Sequence, residues 1–269
     1  MPELPEVETV CGAMRKHLIG RRIESVKTSR KKLREPLPQA RLRTLAGQTF
    51  TAASRRAKYL LLETSGGRIL VVHLGMSGNL IFRTDAQQHD HVTFRLDKGP
   101  PLVFSDPRRF GLVLVLDANE LADCSYLSKL GIEPLDDEFD GGYLKPFCRG
   151  SQRPIKNLIM DAHVVVGVGN IYASEALFKA GIRPATRARR LSRARLDALA
   201  REIKQVLRAS IRAGGTTIGD YVGSGSGGRF QQELAVYGRL GESCLVCDDP
   251  IRSLQLAGRS TFYCRRCQK

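Results

Sequence analysis

The apolar positions of the chain follow two patterns, which change near its midpoint. After Glu6, apolar residues recur every three or four positions and Gly20 follows the last of them, which predicts an amphipathic helix. Short apolar runs come next, at residues 23–28, 59–63, 68–73, 92–96, 102–104 and 111–116. Glycine-containing turns at 66–67 and 99–101 separate two pairs of these runs. Strands of this length and spacing favour an antiparallel β-sandwich packed against the helix.

The second half of the chain has a helical period. Helices are predicted over residues 155–160, from Asn170 as N-cap to about 180, and over 196–211. The glycine-rich segment 223–228 has almost no side chains to pack and is interpreted as a mobile loop. We therefore predict an α+β protein with a β-rich domain at 1–131, an acidic linker at 132–148, a helical domain at 149–235 and a cysteine-containing module at 236–269.

Four of the seven cysteines form two Cys-x-x-Cys pairs, separated by sixteen residues: Cys244 with Cys247, and Cys264 with Cys267. Two such turns can present four thiolates in a tetrahedron to one Zn²⁺ ion. Four protein ligands leave no open position for substrate, so the predicted zinc is structural. A redox pair of dithiols is the alternative interpretation.

The charge of the chain indicates a polyanionic partner. It has 43 Lys and Arg against 27 Asp and Glu, a formal net charge of +16, which produces a positive surface field. A solvated basic surface without a specific partner is the alternative. No apolar run approaches a membrane span, and the first residues lack the pattern of a secretory signal. We therefore expect a cytoplasmic, nucleoid-associated protein with no membrane partner.

Seven segments resemble, in the same order along the chain, the formamidopyrimidine-DNA glycosylase family of bacterial repair enzymes. They are MPELPEVET, SRRAKYLLLE, HLGMSG, HDHV, DPRRFG, VVGVGNIYASEALF and GRSTFYCRRCQK. The resemblance implies an N-terminal β-sandwich, a helix–two-turn–helix domain and a zinc-finger β-hairpin. It also implies a monomer that excises oxidised purines, namely 8-oxoguanine and formamidopyrimidines, from double-stranded DNA and then cleaves the strand. The loop at 223–228 falls where the family places a lid over the flipped base.

The resemblance assigns the chemistry to the start of the chain. Without Met1, Pro2 carries a secondary amine whose pKa is nearer neutrality than that of a lysine, so it is a usable nucleophile. Its attack on the anomeric carbon displaces the base and gives an iminium, from which β,δ-elimination cleaves the strand. By resemblance Glu3 is the general acid for sugar ring opening, Glu6 is a second site carboxylate, and Lys58 contacts phosphate and assists elimination. A helix-dipole role for Glu6 and a solvated strand-edge Lys58 are the alternatives.

The resemblance also assigns DNA contacts. Met76, Arg108 and Phe110 match a wedge that fills the gap left by a flipped nucleotide, although Met76 and Phe110 read alone would favour core positions. Four more positions match the family: Arg259, counted with the catalytic residues and carried into the DNA by the zinc hairpin; Asn170, at a helix N-terminus that favours phosphate; and the DNA-contacting His89 and Lys156.

Two other functions compete with this interpretation. A related endonuclease VIII type prefers oxidised pyrimidines, but its start resembles Pro-Glu-Gly-Pro-Glu, whereas this chain has Leu4 after Glu3. A zinc-containing DNA-binding protein without catalysis is the second. Simple binding requires neither Pro2, Glu3 nor Lys58 at these positions, which favours the enzyme.

Overall fold

The computed structural model describes residues 2–215 and 233–269, which form two compact units. The first unit comprises residues 2–128 with Gly214 and Gly215, and the second comprises residues 129–213 and 233–269. The predicted loop at 223–228 lies outside the described residues. Each unit has its own hydrophobic core.

The first unit is a β-sandwich with helix α1 (Leu4–His17) packed on it. One sheet has the order β1-β6-β7-β5 and the other the order β2-β3-β4-β8, with every neighbouring pair antiparallel. A short helix α2 (Gln39–Arg43) follows β1. The strands are β1 (Ile23–Thr28), β2 (Phe50–Arg56), β3 (Tyr59–Thr64), β4 (Arg68–His73), β5 (Asn79–Phe82), β6 (Asp90–Leu96), β7 (Leu102–Ser105) and β8 (Leu112–Asp117). The predicted sandwich is confirmed.

The core of the first unit lies between its sheets. Phe50 from β2 and Phe94 from β6 meet edge to face, with ring centroids 6.2 Å apart. Helix α1 adds a fully buried face of Val7, Val10 and Met14. These apolar contacts anchor α1 and the loops between the strands to the core of the sandwich.

Two strands were not predicted from the hydrophobic pattern. The β2 sequence, FTAASRR, has small side chains and two arginines, and it forms because it pairs along its length with β3. Strand β5 has four residues and pairs with β7. Helix α1 begins at Leu4, with Glu3 as its N-cap.

The second unit is helical, with α3 (Gly141–Cys148), α4 (Ile155–Ile159), α5 (Asn170–Lys179) and α6 (Arg193–Arg212). Helix α3 lies inside the segment 132–148 that composition indicated as a linker. It packs on α6, its Leu144 is fully buried, and a Cβ at Gly141 would lie 2.4 Å from the backbone nitrogen of Asp197. Residues 141–148 are therefore part of the helical core.

A two-stranded antiparallel hairpin of β9 (Ile251–Leu256) and β10 (Arg259–Cys264) completes the second unit. Its turn places Ala257 and Gly258 in the left-handed region, with φ of 48° and 72°. Helix α5 packs against β10, so the hairpin is attached to the helical core. Across residues 2–215 and 233–269, no helix is long and apolar enough to cross a membrane.

Candidate active site and nucleic-acid interface

The first turn of α1 places two buried carboxylates next to Pro2. Glu3 is the N-cap of the helix and is 3% exposed, and Glu6 is 2% exposed. The two form a reciprocal capping box: Glu6 Oε2 accepts a hydrogen bond from Glu3 N at 2.8 Å, and the Glu3 side chain accepts one from the backbone of Glu6. Pro2 is half-buried immediately before them. The predicted nucleophile and both predicted carboxylates thus share one turn, and Glu6 has a structural task as well.

Glu8, which sequence reasoning missed as a site residue, connects α1 to the turn that carries Lys58. Its two oxygens accept hydrogen bonds from Arg15 Nη1 and Arg55 Nε, each at 2.8 Å. Arg55 Nη1 also donates to the carbonyl of Ala57 at 2.8 Å, and Ala57 has a φ of 55° in the β2–β3 turn. Burial raises the pKa of Glu8, but the hydrogen bonds from both arginines outweigh it and leave the pKa lowered. An ionised Glu8 therefore holds this turn against α1.

His73 lies near Lys58 on the adjacent strand β4. It is buried, its ring centroid is 4.8 Å from that of Tyr59, and its Nδ1 accepts a hydrogen bond from Gly75 N at 2.9 Å. Burial, followed by the positive charges of Arg34 and Lys58, lowers the pKa of His73 to about 3. The imidazole is therefore neutral, and two cations next to it favour an anion at this place.

The three predicted wedge residues come together on two exposed loops. Met76 and Phe110 are large hydrophobic side chains with 42% and 45% of their surface exposed. The guanidinium carbon of Arg108 lies 5.1 Å from the centroid of the Phe110 ring. Gly75 has a φ of 65°, and a Cβ there would lie 2.5 Å from the backbone of Phe110, so the loops pack backbone to backbone. Exposure contradicts the core interpretation of Met76 and Phe110.

The two histidines of HDHV differ in their surroundings. His89 is half-buried, and its carbonyl accepts a hydrogen bond from the backbone of Asp106 at 3.0 Å. His91 is buried, with Nδ1 3.1 Å from Ser29 Oγ and Nε2 3.0 Å from the carbonyl of Asp106. His91 therefore packs as a structural residue, whereas His89 is only partly buried.

Lys156 and Asn170 belong to one hydrogen-bonded cluster in the second unit. Lys156 is 1% exposed, and its Nζ donates to Asn170 Oδ1 at 2.6 Å and to Thr261 Oγ1 at 2.8 Å. Asn170 Nδ2 donates to the carbonyl of Ser260 at 2.9 Å. Asn170 is the first residue of α5, and Gly169, rather than Asn170, is the N-cap. The prediction of the cap was therefore wrong by one residue, and the amide of Asn170 joins α5 to β10.

Glu175 is a buried carboxylate whose role sequence reasoning missed. It lies on α5, is 2% exposed and accepts three backbone hydrogen bonds: from Ala235 at 2.9 Å, Val236 at 3.0 Å and Tyr237 at 2.8 Å. The available signal was one acidic side chain in α5, among neighbours that are mostly apolar. This carboxylate holds the entry to the cysteine module on α5.

The four predicted zinc ligands lie together. The Sγ atoms of Cys244, Cys247, Cys264 and Cys267 all fall within 4.8 Å of one another. Cys244 and Cys267 are 3.9 Å apart at sulfur, and Cys247 and Cys264 are 3.5 Å apart. Sulfur ligands about 2.3 Å from a tetrahedral zinc ion have edges of about 3.8 Å, so the cluster fits Zn²⁺.

Arg259 opens β10 and is exposed directly after the left-handed turn residues. The metal ligand Cys264 ends the same strand. A zinc ion would therefore fix the strand on which Arg259 lies.

Comparison with known proteins agrees with this geometry. Family models match the formamidopyrimidine-DNA glycosylase N-terminal domain at residues 1–113, the formamidopyrimidine-DNA glycosylase H2TH domain at 130–222, and a zinc finger found in FPG and IleRS at 241–269. A formamidopyrimidine-DNA glycosylase from Halorhodospira halophila is 47% identical over 273 residues, covering 100% of both chains.

Two solved structures from Lactococcus lactis are similar throughout. One is a complex of an FPG mutant with a Fapy-dG containing DNA, at 33% identity and a TM-score of 0.91, covering 100% of both chains. The other is a complex of Fpg with an abasic site containing DNA, at 33% identity and a TM-score of 0.91, covering 99% of both chains.

Proposed function

Because the chain belongs to the formamidopyrimidine-DNA glycosylase family, we propose that it is a bifunctional DNA glycosylase and apurinic/apyrimidinic (AP) lyase of base excision repair. Its substrates are oxidised purines, 8-oxoguanine and formamidopyrimidines, in double-stranded DNA. The observation that carries this proposal is the first turn of α1, where the buried residues Glu3 and Glu6 follow Pro2 within four positions. The capping box stabilises the helix, but DNA binding alone does not require two buried carboxylates beside Pro2.

The reaction begins at the nitrogen of Pro2, once Met1 has been removed. The amine attacks C1′ of the damaged nucleotide, the base leaves, and Glu3 protonates the ring oxygen so that the sugar opens to an iminium. The iminium acidifies C2′, whose proton is lost as the 3′ phosphate leaves, and a second elimination expels the 5′ phosphate. Glu6 holds Glu3 in place through the capping box, and Lys58 contacts a phosphate and assists its departure.

The remaining site residues bind and distort the DNA. Met76, Arg108 and Phe110 replace the flipped nucleotide in the stack, which requires exposed side chains of mixed apolar and cationic character. His89 and Asn170 contact the DNA around the lesion, and Lys156, which is itself buried, positions Asn170. Arg259 acts with the catalytic residues, to which the zinc hairpin carries it.

The metal has a structural role. One Zn²⁺ held by the four cysteines stabilises a hairpin that has only two strands and therefore little core of its own. It supplies no chemistry to the sugar or the base.

The catalytic, DNA-binding and structural roles belong to separate segments of the chain. A catalytic domain at 1–131, a helix–two-turn–helix domain that includes helix α3 and extends to 235 with a lesion lid, and a zinc finger at 236–269 act on DNA as one monomer. The formal charge of +16 favours binding to DNA. The proposed location is therefore the cytoplasm, in association with the nucleoid.

Borohydride trapping tests the proposal. Protein lacking Met1 is incubated with duplex DNA containing one 8-oxoguanine opposite cytosine, reduced, and assayed for a covalent band that peptide mapping assigns to Pro2. Protein that retains Met1 has an amide nitrogen at Pro2 and gives no band. Tight lesion binding by the processed protein without any covalent band would refute the lyase mechanism. A higher kcat/KM for an oxidised pyrimidine would instead favour the endonuclease VIII type of activity.

A carboxylate variant separates the two steps. Glu3→Gln lowers base excision by about 100-fold, the usual contribution of a general acid. It spares trapping on a preformed abasic site, where no glycosidic bond has to be broken and the hemiacetal sugar equilibrates with its open-chain aldehyde without the enzyme. Glu63→Gln changes an exposed carboxylate of β3 and serves as the matched control, with both activities unchanged.

A further inference from the structure

A fully buried carboxylate joins the two loops that carry the wedge residues. We call residues 74–78 and 106–111 the wedge loops. Asp106 is 0% exposed, and its Oδ1 accepts hydrogen bonds from Ser77 Oγ at 2.6 Å and from Arg108 N at 3.2 Å. Its Oδ2 accepts one from Gly111 N at 2.7 Å. The three donors therefore come from the neighbours of Met76 and from both sides of Phe110.

The backbone of Asp106 attaches the same loops to the sheet. Its N–H donates to the carbonyl of His89 at 3.0 Å, and its carbonyl lies 3.0 Å from Nε2 of His91 on β6. Ser77 Oγ also accepts a hydrogen bond from Arg108 N at 3.2 Å, so the loops are joined directly as well. Asp106 is thus the point where both wedge loops and β6 meet.

Exposure explains why this attachment matters. Met76 and Phe110 have little packing to fix them, since almost half of each side chain is exposed. The spacing of their side chains is therefore set by the backbone of the wedge loops, which includes Arg109 with a φ of 60°. Groups that must enter a base stack together need this spacing before DNA binds, because ordering loops on binding reduces affinity.

We propose that Asp106 is a positioning residue for base flipping, whose carboxylate holds Met76, Arg108 and Phe110 at the spacing at which they replace the extruded nucleotide. This inference rests on the proposed function and specifies how its wedge is preorganised. Asp106 contacts no DNA itself, because it is completely buried.

Asp106→Asn is the variant that tests this role. An amide retains one acceptor oxygen but directs an NH2 group at a loop donor, so at least one of the three hydrogen bonds is lost. The readout is a duplex with a tetrahydrofuran abasic analogue next to 2-aminopurine, whose fluorescence increases when the wedge unstacks it. We expect the unstacking rate and kcat/KM on duplex 8-oxoguanine to fall about tenfold or more. Borohydride trapping on a single-stranded abasic oligonucleotide, where no stack has to be opened, changes less than about twofold.

Two further serine variants keep the test decisive if Asp106→Asn folds poorly. Ser77→Ala removes one hydroxyl that bonds to the carboxylate and is expected to produce a smaller loss confined to duplex substrates. Ser65→Ala removes a hydroxyl that accepts from Thr49 N, far along the sheet, and leaves all activities unchanged. Equal losses on duplex and single-stranded substrates, or no loss of unstacking, would overturn the inference. Failure of the proposed function is recognised separately, because then the unaltered protein unstacks 2-aminopurine without cleaving any lesion.

Discussion

Substitution of Glu175 by Gln gives the sharpest test of how the cysteine module is attached. In the unaltered protein, Oε1 accepts from Val236 and Tyr237, and Oε2 accepts from Ala235. Glutamine has one acceptor oxygen, so with that oxygen facing Val236 and Tyr237 the N–H of Ala235 meets an NH2 group. Losing one hydrogen bond to a carboxylate and leaving a buried donor unsatisfied costs about 2–4 kcal/mol.

Amide hydrogen exchange of the full zinc-loaded chain measures this cost directly. A loss of about 2–4 kcal/mol corresponds to about 30- to 1000-fold faster exchange at the amides of residues 235–237 if these open locally. Glu242→Gln is the control, because Glu242 is exposed and pairs at 2.8 Å with Arg239 on the same module. It changes stability by less than about 1 kcal/mol. Exchange in Glu175→Gln within about threefold of the unaltered protein would refute the assignment of Glu175 as the attachment point.

Two pH effects and one metal effect follow from the same contacts. Glu8→Gln lowers the free energy of unfolding by about 1–3 kcal/mol above the unfolded pKa of about 4.5. This stability difference vanishes as the pH falls through the lowered pKa of Glu8 in the folded protein. Urea titrations from about pH 3 to pH 7 measure it. A difference that does not depend on pH contradicts the ion pair. Folded His73 stays neutral down to about pH 3, while an unfolded histidine takes up a proton near pH 6.5. The free energy of unfolding therefore decreases as the pH is lowered from about 6.5 to about 3. The slope is at most about 1.4 kcal/mol per pH unit, and His73→Gln flattens it. Removing zinc with a chelator weakens anisotropy-measured binding to a tetrahydrofuran duplex, while the thermal transition of the first unit persists, since every cysteine ligand lies in the second unit. Unchanged affinity of the zinc-free protein would show that DNA binding does not depend on the hairpin that carries Arg259.

Residues whose role depends on local spacing were predictable from the sequence. The two Cys-x-x-Cys pairs identify the four clustered sulfurs, because each pair is a single turn. The strands at 23–28 and 68–73 were predicted at their observed bounds, since both combine β-branched residues with clear flanking turns. The helix face containing Leu196, Leu199 and Ile203 is buried as its period indicates.

Residues whose role depends on distant partners were not predictable. Glu175 is separated by 60 residues from the first amide that it binds, and no local pattern marks that pairing. Asp106 reads as an ordinary turn residue before Pro107, yet it is fully buried between two loops. Lys156 was expected at the DNA surface, but it is 1% exposed because Asn170 and Thr261 satisfy its ammonium. The DNA-contact assignments themselves stay predictions.

The pairing of β1 with β6, and of β4 with β8, determines when the start of the chain can dock during synthesis. Strand β1 ends at Thr28, but the second sheet is complete only after Asp117 has been made. At about 5–20 residues per second, translation of the intervening chain takes about 5–20 s. Helix α1 therefore emerges first, and the sandwich on which it packs is complete only at the end of this interval. We expect the N-terminal residues to stay accessible to an aminopeptidase during that time.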